Sequence, residues 1–344
     1  MEMLFKKELI TPQELKTQYA MSETARHLKQ ERDNTLHRIF LRKDNRLLLI
    51  VGPCSADRED AILDYMTRLS AVQEKVKDTV FIVPRLYTSK PRTIGKGYKG
   101  IIHQPDPECA PDIMKGILAV RHLHLSVIEE TGFSCADEML YPDNHRYISD
   151  LLCYCVVGAR SVEDQLHRMA ASGLGIPVGM KNPTSGNLNV MLNAILTARA
   201  PQDFLYCGWE VQTGGNPFAH AILRGYEDNF GHCFPNYHYE NLQSLLALYY
   251  EKHIEDPICI IDCNHANSGK HYLEQARICK DVLHSRNMSG DIRSLVRGLM
   301  VESYIEDGCQ SPHEHQYGKS ITDPCLGWKK TENLIYELAE RWWC

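Results

Sequence analysis

The sequence lacks the features that define several large classes of proteins. No apolar run reaches the roughly 18 residues of a membrane-spanning helix, and no secretory signal pattern precedes the first polar segment. Basic residues are not in excess, because 38 Lys and Arg stand against 44 Asp and Glu, a formal net charge of −6. We therefore expect a soluble, cytoplasmic protein with no membrane partner and no nucleic-acid partner. An anionic ligand must meet a local basic site.

The 13 cysteines contain no Cys-x-x-Cys pair, which argues against a zinc ribbon. Without a secretory signal the thiols are predicted to be reduced, and most of them to be buried.

Short apolar runs alternate with helical patterns from residue 46 onward. This alternation predicts a parallel sheet, and eight successive units favour an α/β fold of the (β/α)8 TIM barrel type. A doubly wound open sheet is the alternative, but no Gly-x-Gly-x-x-Gly follows the first strand. The predicted strands are 47–51, 80–83, 133–136, 154–157, 176–180, 219–223, 258–261 and 296–301. The predicted helices are 58–74, 112–130, 144–151, 161–173, 187–199, 239–253, 272–287 and 330–341.

Two segments depart from this repeat. Residues 1–45 are polar, with a predicted helix over 22–41, and we interpret them as an N-terminal helical extension to a barrel of residues 46–344. Such a polar helix is expected to pack on another subunit or on the outside of the barrel, the alternative being a frayed terminus. The second segment, 201–218, suggests a hairpin inserted before the sixth strand.

A reactive or charged residue follows every predicted strand. Because all strands of a barrel end at one face, these side chains are expected to converge there, although any single one could be an ordinary solvated charge. The eight are Cys54, Arg85, Glu138, Arg160, Lys181, Arg224, His265 and Glu302.

Four of these residues are cations, namely Arg85, Arg160, Lys181 and Arg224. Together they predict a small polyanionic substrate, since guanidinium groups bind phosphate and carboxylate oxygens in pairs. Segment 81–100 is basic, without any acid and rich in glycine, and suits a second phosphate; a solvated basic loop is the alternative.

A second set combines a thiol, an imidazole and two carboxylates: Cys54, His265, Glu302 and the later Asp323. This mixture of donors suits a borderline divalent transition metal, such as manganese, iron, zinc or cobalt, better than magnesium. On its own, His265 is equally consistent with a hydrogen-bonded core histidine.

Eleven short motifs occur in the same order in this chain and in a known protein family. They are GPCS (52–55), KPRT (90–93), GAR (158–160), HR (167–168), ASGL (171–174), PVGMKN (177–182), ILRG (222–225), DCNHANSG (262–269), MVES (300–303), SITD (320–323) and GW (327–328). From about residue 10 to the end, the chain resembles type I 3-deoxy-D-arabino-heptulosonate 7-phosphate (DAHP) synthases of the larger bacterial and fungal branch.

The resemblance implies an enzyme, a transferase that condenses phosphoenolpyruvate with erythrose 4-phosphate and releases phosphate, at the entry to aromatic amino-acid biosynthesis. It implies that Arg85, Arg160, Lys181 and Arg224 hold phosphoenolpyruvate and that Lys90, Arg92 and Thr93 hold erythrose 4-phosphate. Lys90 is then the proton donor, Glu138 orients the water, and His265 is both catalytic and a metal ligand with Cys54, Glu302 and Asp323.

The N-terminal segment predicts a homodimer or homotetramer, and the resemblance implies an aromatic amino-acid effector. Segment 143–147 is expected to contribute to the effector pocket, yet Gly175 stands where regulated relatives often carry a serine. Other departures are Ser89, Asn264 and Tyr304, where the family commonly has Glu, Ser and His. Two other functions stay open: a related synthase that uses arabinose 5-phosphate, and a non-catalytic paralogue that senses a metabolite or a metal.

Overall fold

The computed structural model describes residues 3–92, 97–106, 108–314 and 316–342. Eight parallel strands form the predicted barrel in chain order. A bridge between Arg85 and Ala136 joins the second strand to the third, and so closes the sheet. The barrel strands are β1 (Leu47–Gly52), β2 (Val80–Pro84), β3 (Ala136–Glu138), β4 (Tyr154–Val157), β5 (Val178–Lys181), β8 (Ala219–Leu223), β11 (Cys259–Asp262) and β12 (Val296–Glu302).

Two antiparallel pairs complete the strands: β6 (Gln202–Tyr206) with β7 (Trp209–Thr213), and β9 (Tyr226–Glu227) with β10 (Cys233–Phe234). The first pair confirms the hairpin that was predicted before the sixth barrel strand.

Helices surround the barrel and precede it. They are α1 (Pro12–Gln18), α2 (Glu23–Phe40), α3 (Glu59–Val76), α4 (Ile113–Thr131), α5 (Pro142–His145), α6 (Gln165–Ser172), α7 (Leu188–Arg199), α8 (Tyr239–Glu251), α9 (Gln275–Met288), α10 (Gly290–Leu295) and α11 (Trp328–Arg341). Among the described residues, none of these helices has the length and apolar character that a membrane crossing requires.

Local sequence signals explain where individual helices begin and end. Helix α4 begins where the Asp112 carboxylate accepts a hydrogen bond from the backbone N–H of Lys115, and it ends at Gly132, which has φ of 71°. An acidic N-cap satisfies a free N–H group, and glycine adopts the left-handed conformation without strain. These two residues fix the length of α4 before it packs on α2 and α3.

The predicted element bounds agree with the structure to different degrees. Strands β4 and β8 have the bounds that the sequence predicts. The third strand lies at Ala136–Glu138 rather than at 133–136, and Phe133 instead packs under the Arg32 guanidinium. The helix predicted at 144–151 is wrong in extent, since only Pro142–His145 is helical and turns follow it.

The C-terminal half of α2 closes the amino-terminal end of the barrel. Leu36, Ile39 and Phe40 are buried and belong to the same apolar cluster as residues at the starts of the barrel strands. Phe40 contacts the rings of Tyr154 and His220. The sequence suggested that the extension packs on another subunit or on the outside of the barrel. The last turns of α2 are instead buried against the barrel end, because they carry an apolar stripe although the helix as a whole is polar.

This packing predicts that Phe40→Ala destabilises the protein by about 3 kcal/mol, since it leaves a cavity in a closed apolar layer. Leu41→Ala is the matched control, because Leu41 is 51% exposed, and it should change the free energy of unfolding little. Urea denaturation of both variants measures the difference. Equal stability of the two variants would show that α2 does not seal the barrel.

Candidate functional site

The carboxyl ends of the barrel strands surround a cavity of about 310 Å³. Seven of the eight residues that the sequence placed after the strands line this cavity: Arg85, Glu138, Arg160, Lys181, Arg224, His265 and Glu302. Lys90, Arg92 and Asp323 line it as well. The eighth, Cys54, lies beside it, with its Sγ atom 2.6 Å from Lys90 Nζ. Thr93 lies outside the described residues.

The predicted cations occupy one side of this cavity. Arg85, Lys181 and Arg224 are buried, whereas Arg160 lies at the exposed rim. The Nη1 atoms of Arg85 and Arg224 are buried without a hydrogen-bond partner in the described structure. Buried, unpaired guanidinium N–H groups are costly, and this geometry suits an anion that accepts hydrogen bonds from them.

Burial and neighbouring charges act differently on these arginines. Burial lowers the pKa of Arg224. Burial would also lower the pKa of Arg85, but the nearby Tyr87, Glu302 and Asp262 outweigh it and raise that pKa. Arg85 therefore keeps its charge in the protein interior, where it donates a hydrogen bond of 3.0 Å from Nη2 to Oε1 of Glu302.

A thiol and two carboxylates lie next to the cations. Ligand atoms of Cys54, Glu302 and Asp323 all fall within 4.8 Å of one another. Burial and the Glu302 charge raise the pKa of the Cys54 thiol to about 12. The adjacent Lys90 ammonium lowers the pKa of Asp323.

His265 is not part of that group of three. Its Nε2 atom is 3.9 Å from Oε1 of Glu302, and its Nδ1 atom is 2.9 Å from Oδ2 of Asp262. The backbone of His265 has φ of 52°, a left-handed conformation that is uncommon for a residue with a side chain. Such backbone conformations concentrate at functional sites, where the surrounding structure holds them.

Lys90 connects the two halves of the site. Its Nζ atom is 2.6 Å from Cys54 Sγ and 3.0 Å from Asp323 Oδ2. Burial would lower the pKa of Lys90, but the adjacent Cys54 sulfur and the carboxylates of Asp323 and Glu302 outweigh it and raise that pKa. The ammonium is therefore held at the boundary between the basic side and the thiol and carboxylates.

Two glycines of the recognised motifs allow the close approach of these side chains. A Cβ atom at Gly52 would lie 2.6 Å from the carbonyl oxygen of Arg85, and one at Gly158 would lie 2.4 Å from Oε1 of Glu138. At Gly52 the neighbour is backbone, so no side chain fits there, whereas a side chain at Gly158 would displace the Glu138 carboxylate. The GPCS and GAR motifs thus position Arg85 and Glu138 through the absence of a side chain.

Two further residues of the site, Asp262 and Asn264, were assigned no role in it from the sequence, although Asn264 was named as a departure from the family pattern. Asp262 is fully buried and places Oδ2 at 3.0 Å from Lys181 Nζ, besides its contact with His265. Asn264 donates a hydrogen bond of 2.6 Å from Nδ2 to Oε2 of Glu302. Both belong to the DCNHANSG motif, and a polar residue at the inner end of a barrel strand was the signal that could have found them.

The donors fit a divalent transition metal. Thiolate, carboxylate and imidazole groups together suit a borderline cation, and the three closest ligand atoms are near enough to share one ion. Asp262 is placed to fix the orientation of the His265 ring, as carboxylates do behind metal-binding histidines.

Fold and cavity together define a class: a (β/α)8 barrel with an anion pocket and a candidate metal centre at its carboxyl end. The chain belongs to the DAHP synthetase I family, whose sequence profile matches residues 15–335.

Individual relatives are similar over nearly the whole chain. The Phe-sensitive phospho-2-dehydro-3-deoxyheptonate aldolase of Escherichia coli K12 is 37% identical over 97% of this chain and 94% of its own length. The Trp-sensitive enzyme of the same strain is 36% identical over 96% of this chain and 94% of its own length. The structure of the phospho-2-dehydro-3-deoxyheptonate aldolase from Francisella tularensis SCHU S4 has a TM-score of 0.91 at 30% identity, and the match covers 99% of this chain and 98% of the other.

The geometry predicts that Cys54→Ala weakens binding of a divalent cation such as Mn²⁺ or Zn²⁺ by about tenfold or more, because one of three clustered ligand atoms is lost. Calorimetric titration of chelator-treated protein measures the affinity. Cys109→Ala is the matched control, since Cys109 is an exposed thiol. Equal affinity of the two variants would remove Cys54 from the ligand set.

Proposed function

We propose that this chain condenses phosphoenolpyruvate with erythrose 4-phosphate and water to give DAHP and phosphate, the first step of the shikimate pathway to aromatic amino acids. The observation that carries this proposal is the arrangement of one cavity, in which buried cations lie beside the cluster of Cys54, Glu302 and Asp323. Two anionic substrates can be brought together only where cations offset their repulsion.

Phosphoenolpyruvate occupies the deeper part of the cavity. The unpaired Nη1 atoms of Arg85 and Arg224 bind its phosphate and carboxylate, together with Lys181 and with Arg160 from the rim. Because Lys181 is already paired with Asp262, its ammonium is fixed before the substrate arrives. Fixed cations hold the enol carbon in one orientation.

Erythrose 4-phosphate binds at the KPRT segment, through Lys90, Arg92 and Thr93. The Arg92 side chain is positioned by its own loop, since Nε donates a hydrogen bond of 2.7 Å to the carbonyl oxygen of Tyr98. Lys90 lies between this loop and the Cys54 cluster. The aldehyde end of the sugar therefore lies next to both Lys90 and the cluster.

Cys54, Glu302 and Asp323, joined by the neighbouring His265, would hold one divalent cation, such as manganese, iron, zinc or cobalt. When bound, such an ion supplies Lewis acidity that stabilises negative charge on the aldehyde oxygen.

The reaction proceeds as the methylene carbon C3 of phosphoenolpyruvate forms a bond to the aldehyde carbon of the sugar. The Lys90 ammonium donates a proton to the aldehyde oxygen as it becomes an alkoxide. Water then adds at C2 and passes one proton to the Lys90 amine; the resulting C2 hydroxyl becomes the ketone as the C2–O bond to phosphate breaks, and its proton leaves with the phosphate. Glu138 lines the cavity and orients that water, while the arginines hold the departing phosphate.

Lys90→Met is predicted to reduce kcat by at least about 10² while the protein still binds phosphoenolpyruvate, because the variant loses the proton donor and keeps the arginines. The measurement is phosphate release in the presence of both substrates, with a chelator and with added metal. Lys270→Met is the control, since Lys270 lines the same cavity but pairs with Glu227.

Three outcomes contradict the proposal. Phosphate release without erythrose 4-phosphate would exclude the condensation. Preference for arabinose 5-phosphate would favour the related synthase, and tight binding of phosphoenolpyruvate without turnover would favour the sensor. The names of the relatives support the four-carbon sugar phosphate.

We further propose that residues 1–45 form an oligomerisation and regulatory extension of the barrel 46–344, in a homodimer or homotetramer. An aromatic amino acid regulates the enzyme from a second cavity of about 490 Å³, which His145, Arg146, Gly175, Tyr206 and Thr213 help to line. The guanidinium of Arg146 lies 5.7 Å from the ring centre of Tyr206, and offers a charge for the carboxylate of the amino acid. The relatives named Phe-sensitive and Trp-sensitive support such regulation.

Arg146→Gln is predicted to raise the concentration needed for inhibition by about tenfold, because one charge contact with the amino acid is lost. The inhibitor is phenylalanine, tyrosine or tryptophan. Gly175→Ser should also alter that concentration. A Cβ atom at Gly175 has no neighbour within 4 Å, so a serine side chain fits in the lining of this cavity. Initial rates with each amino acid measure both effects, and neither variant should change the uninhibited kcat. If none of the three amino acids slows the wild-type enzyme, this cavity is not an inhibitor site.

A further inference from the structure

A group of arginines lies at the opposite end of the barrel from the catalytic cavity. Arg42 follows α2, Arg286 lies on α9, Arg293 on α10 and Arg297 near the start of β12. All four line one cavity of about 390 Å³. Nothing in the proposed condensation uses these residues.

The positive charge of this group is poorly balanced. Arg42 pairs with Asp256, and the nearby Asp44 pairs with Arg46. Within residues 3–92, 97–106, 108–314 and 316–342, no carboxylate forms an ion pair with Arg286, Arg293 or Arg297. Burial and the charges of Arg297 and Arg293 lower the pKa of Arg286 to about 10.

The two inner arginines are buried and rigidly held. Arg286 is 5% exposed and Arg297 is 3% exposed. The guanidinium of Arg286 stacks on the Trp342 indole at 3.5 Å, and Arg297 Nη2 donates a hydrogen bond of 2.7 Å to the carbonyl oxygen of Asp44. Their positions are thus fixed by packing and by backbone contacts.

Each of these buried arginines nevertheless retains a donor without a partner. The Nε atoms of Arg286 and Arg297 are buried and form no hydrogen bond in the described structure, and the same holds for Nε of Arg42. Leaving a charged donor unpaired in the interior costs free energy that an anion at this place would offset. Arg293 is exposed and stands at the rim, so the cavity is open to a small ligand.

We propose that this cavity binds a phosphate or phosphomonoester dianion. Several fixed guanidinium groups around a small space match the charge and the multiple acceptor oxygens of a phosphate. The ligand would connect the end of α2, α9, α10 and the start of β12, and so bind only the folded state and stabilise it. Because the site lies at the closed end of the barrel, its occupancy does not compete with substrates.

The test compares phosphate binding to wild-type protein, Arg293→Gln and Arg26→Gln in a phosphate-free buffer of constant ionic strength. Arg293 is exposed, so its replacement leaves the core intact, and Arg26 is an exposed arginine outside the cavity that controls for the change in net charge. Calorimetry with inorganic phosphate gives the number of sites and their dissociation constants. Any phosphate bound in the catalytic cavity is common to all three proteins.

The expected result is that Arg293→Gln raises the dissociation constant of one phosphate site by about tenfold or removes that site, whereas Arg26→Gln behaves as wild type. The kcat/KM of the condensation should be unchanged in both variants. A crystal structure with phosphate should show the anion in this cavity, at about 2.7–2.9 Å from guanidinium nitrogens of Arg286, Arg293 and Arg297.

Identical phosphate binding by all three proteins would overturn the proposal. So would a crystal structure, grown with phosphate, in which a carboxylate of the chain beyond Trp342 fills the cavity instead. A buried variant, Arg297→Met, serves as a second probe: if it folds and binds phosphate as wild type does, the site is also excluded.

Discussion

The buried carboxylate of Glu302 is the constraint on which the site depends. It lies at the end of β12, accepts hydrogen bonds from Arg85 and from Asn264, and has a ligand atom within 4.8 Å of those of Cys54 and Asp323. A buried carboxylate is costly unless it is paired, and Arg85 provides that pairing while keeping other N–H groups free for an anion. One ion pair, 1% exposed on both sides, therefore joins the anion pocket to the candidate metal centre.

Arginines lie at both ends of the barrel but in different surroundings. At the carboxyl end, arginines and a lysine face an open cavity and leave donors available for ligands. At the amino end, Leu36, Ile39 and Phe40 of α2 seal the interior, and arginines surround the seal. Because the apolar layer at the amino end stabilises the barrel, the interior at the carboxyl end can be polar.

Much of this architecture could be predicted from the sequence, for a physical reason. Buried parallel strands are largely apolar, so β4 and β8 were bounded correctly, although β8 includes the buried His220. The fold itself directs the residue after each strand to one face. The third strand was misplaced because its own residues include Asp137 and Glu138, which serve the interior and the site rather than an apolar layer. Helix α1 was missed although Thr11 and Glu14 form a capping box, since its seven residues are too few to show a period. The sequence did not reveal that His265 lies apart from the three clustered ligands or that its backbone is left-handed, because no local pattern indicates either feature.

The central claim is that the thiol of Cys54 and the carboxylates at the same barrel end hold a single divalent ion. X-ray absorption spectroscopy of the zinc-loaded protein tests it most directly. The account predicts one sulfur neighbour at about 2.3 Å with nitrogen and oxygen neighbours at about 2.0–2.2 Å, and loss of the sulfur signal in Cys54→Ser. A spectrum with only nitrogen and oxygen neighbours, or a sulfur signal that persists in Cys54→Ser, would contradict it.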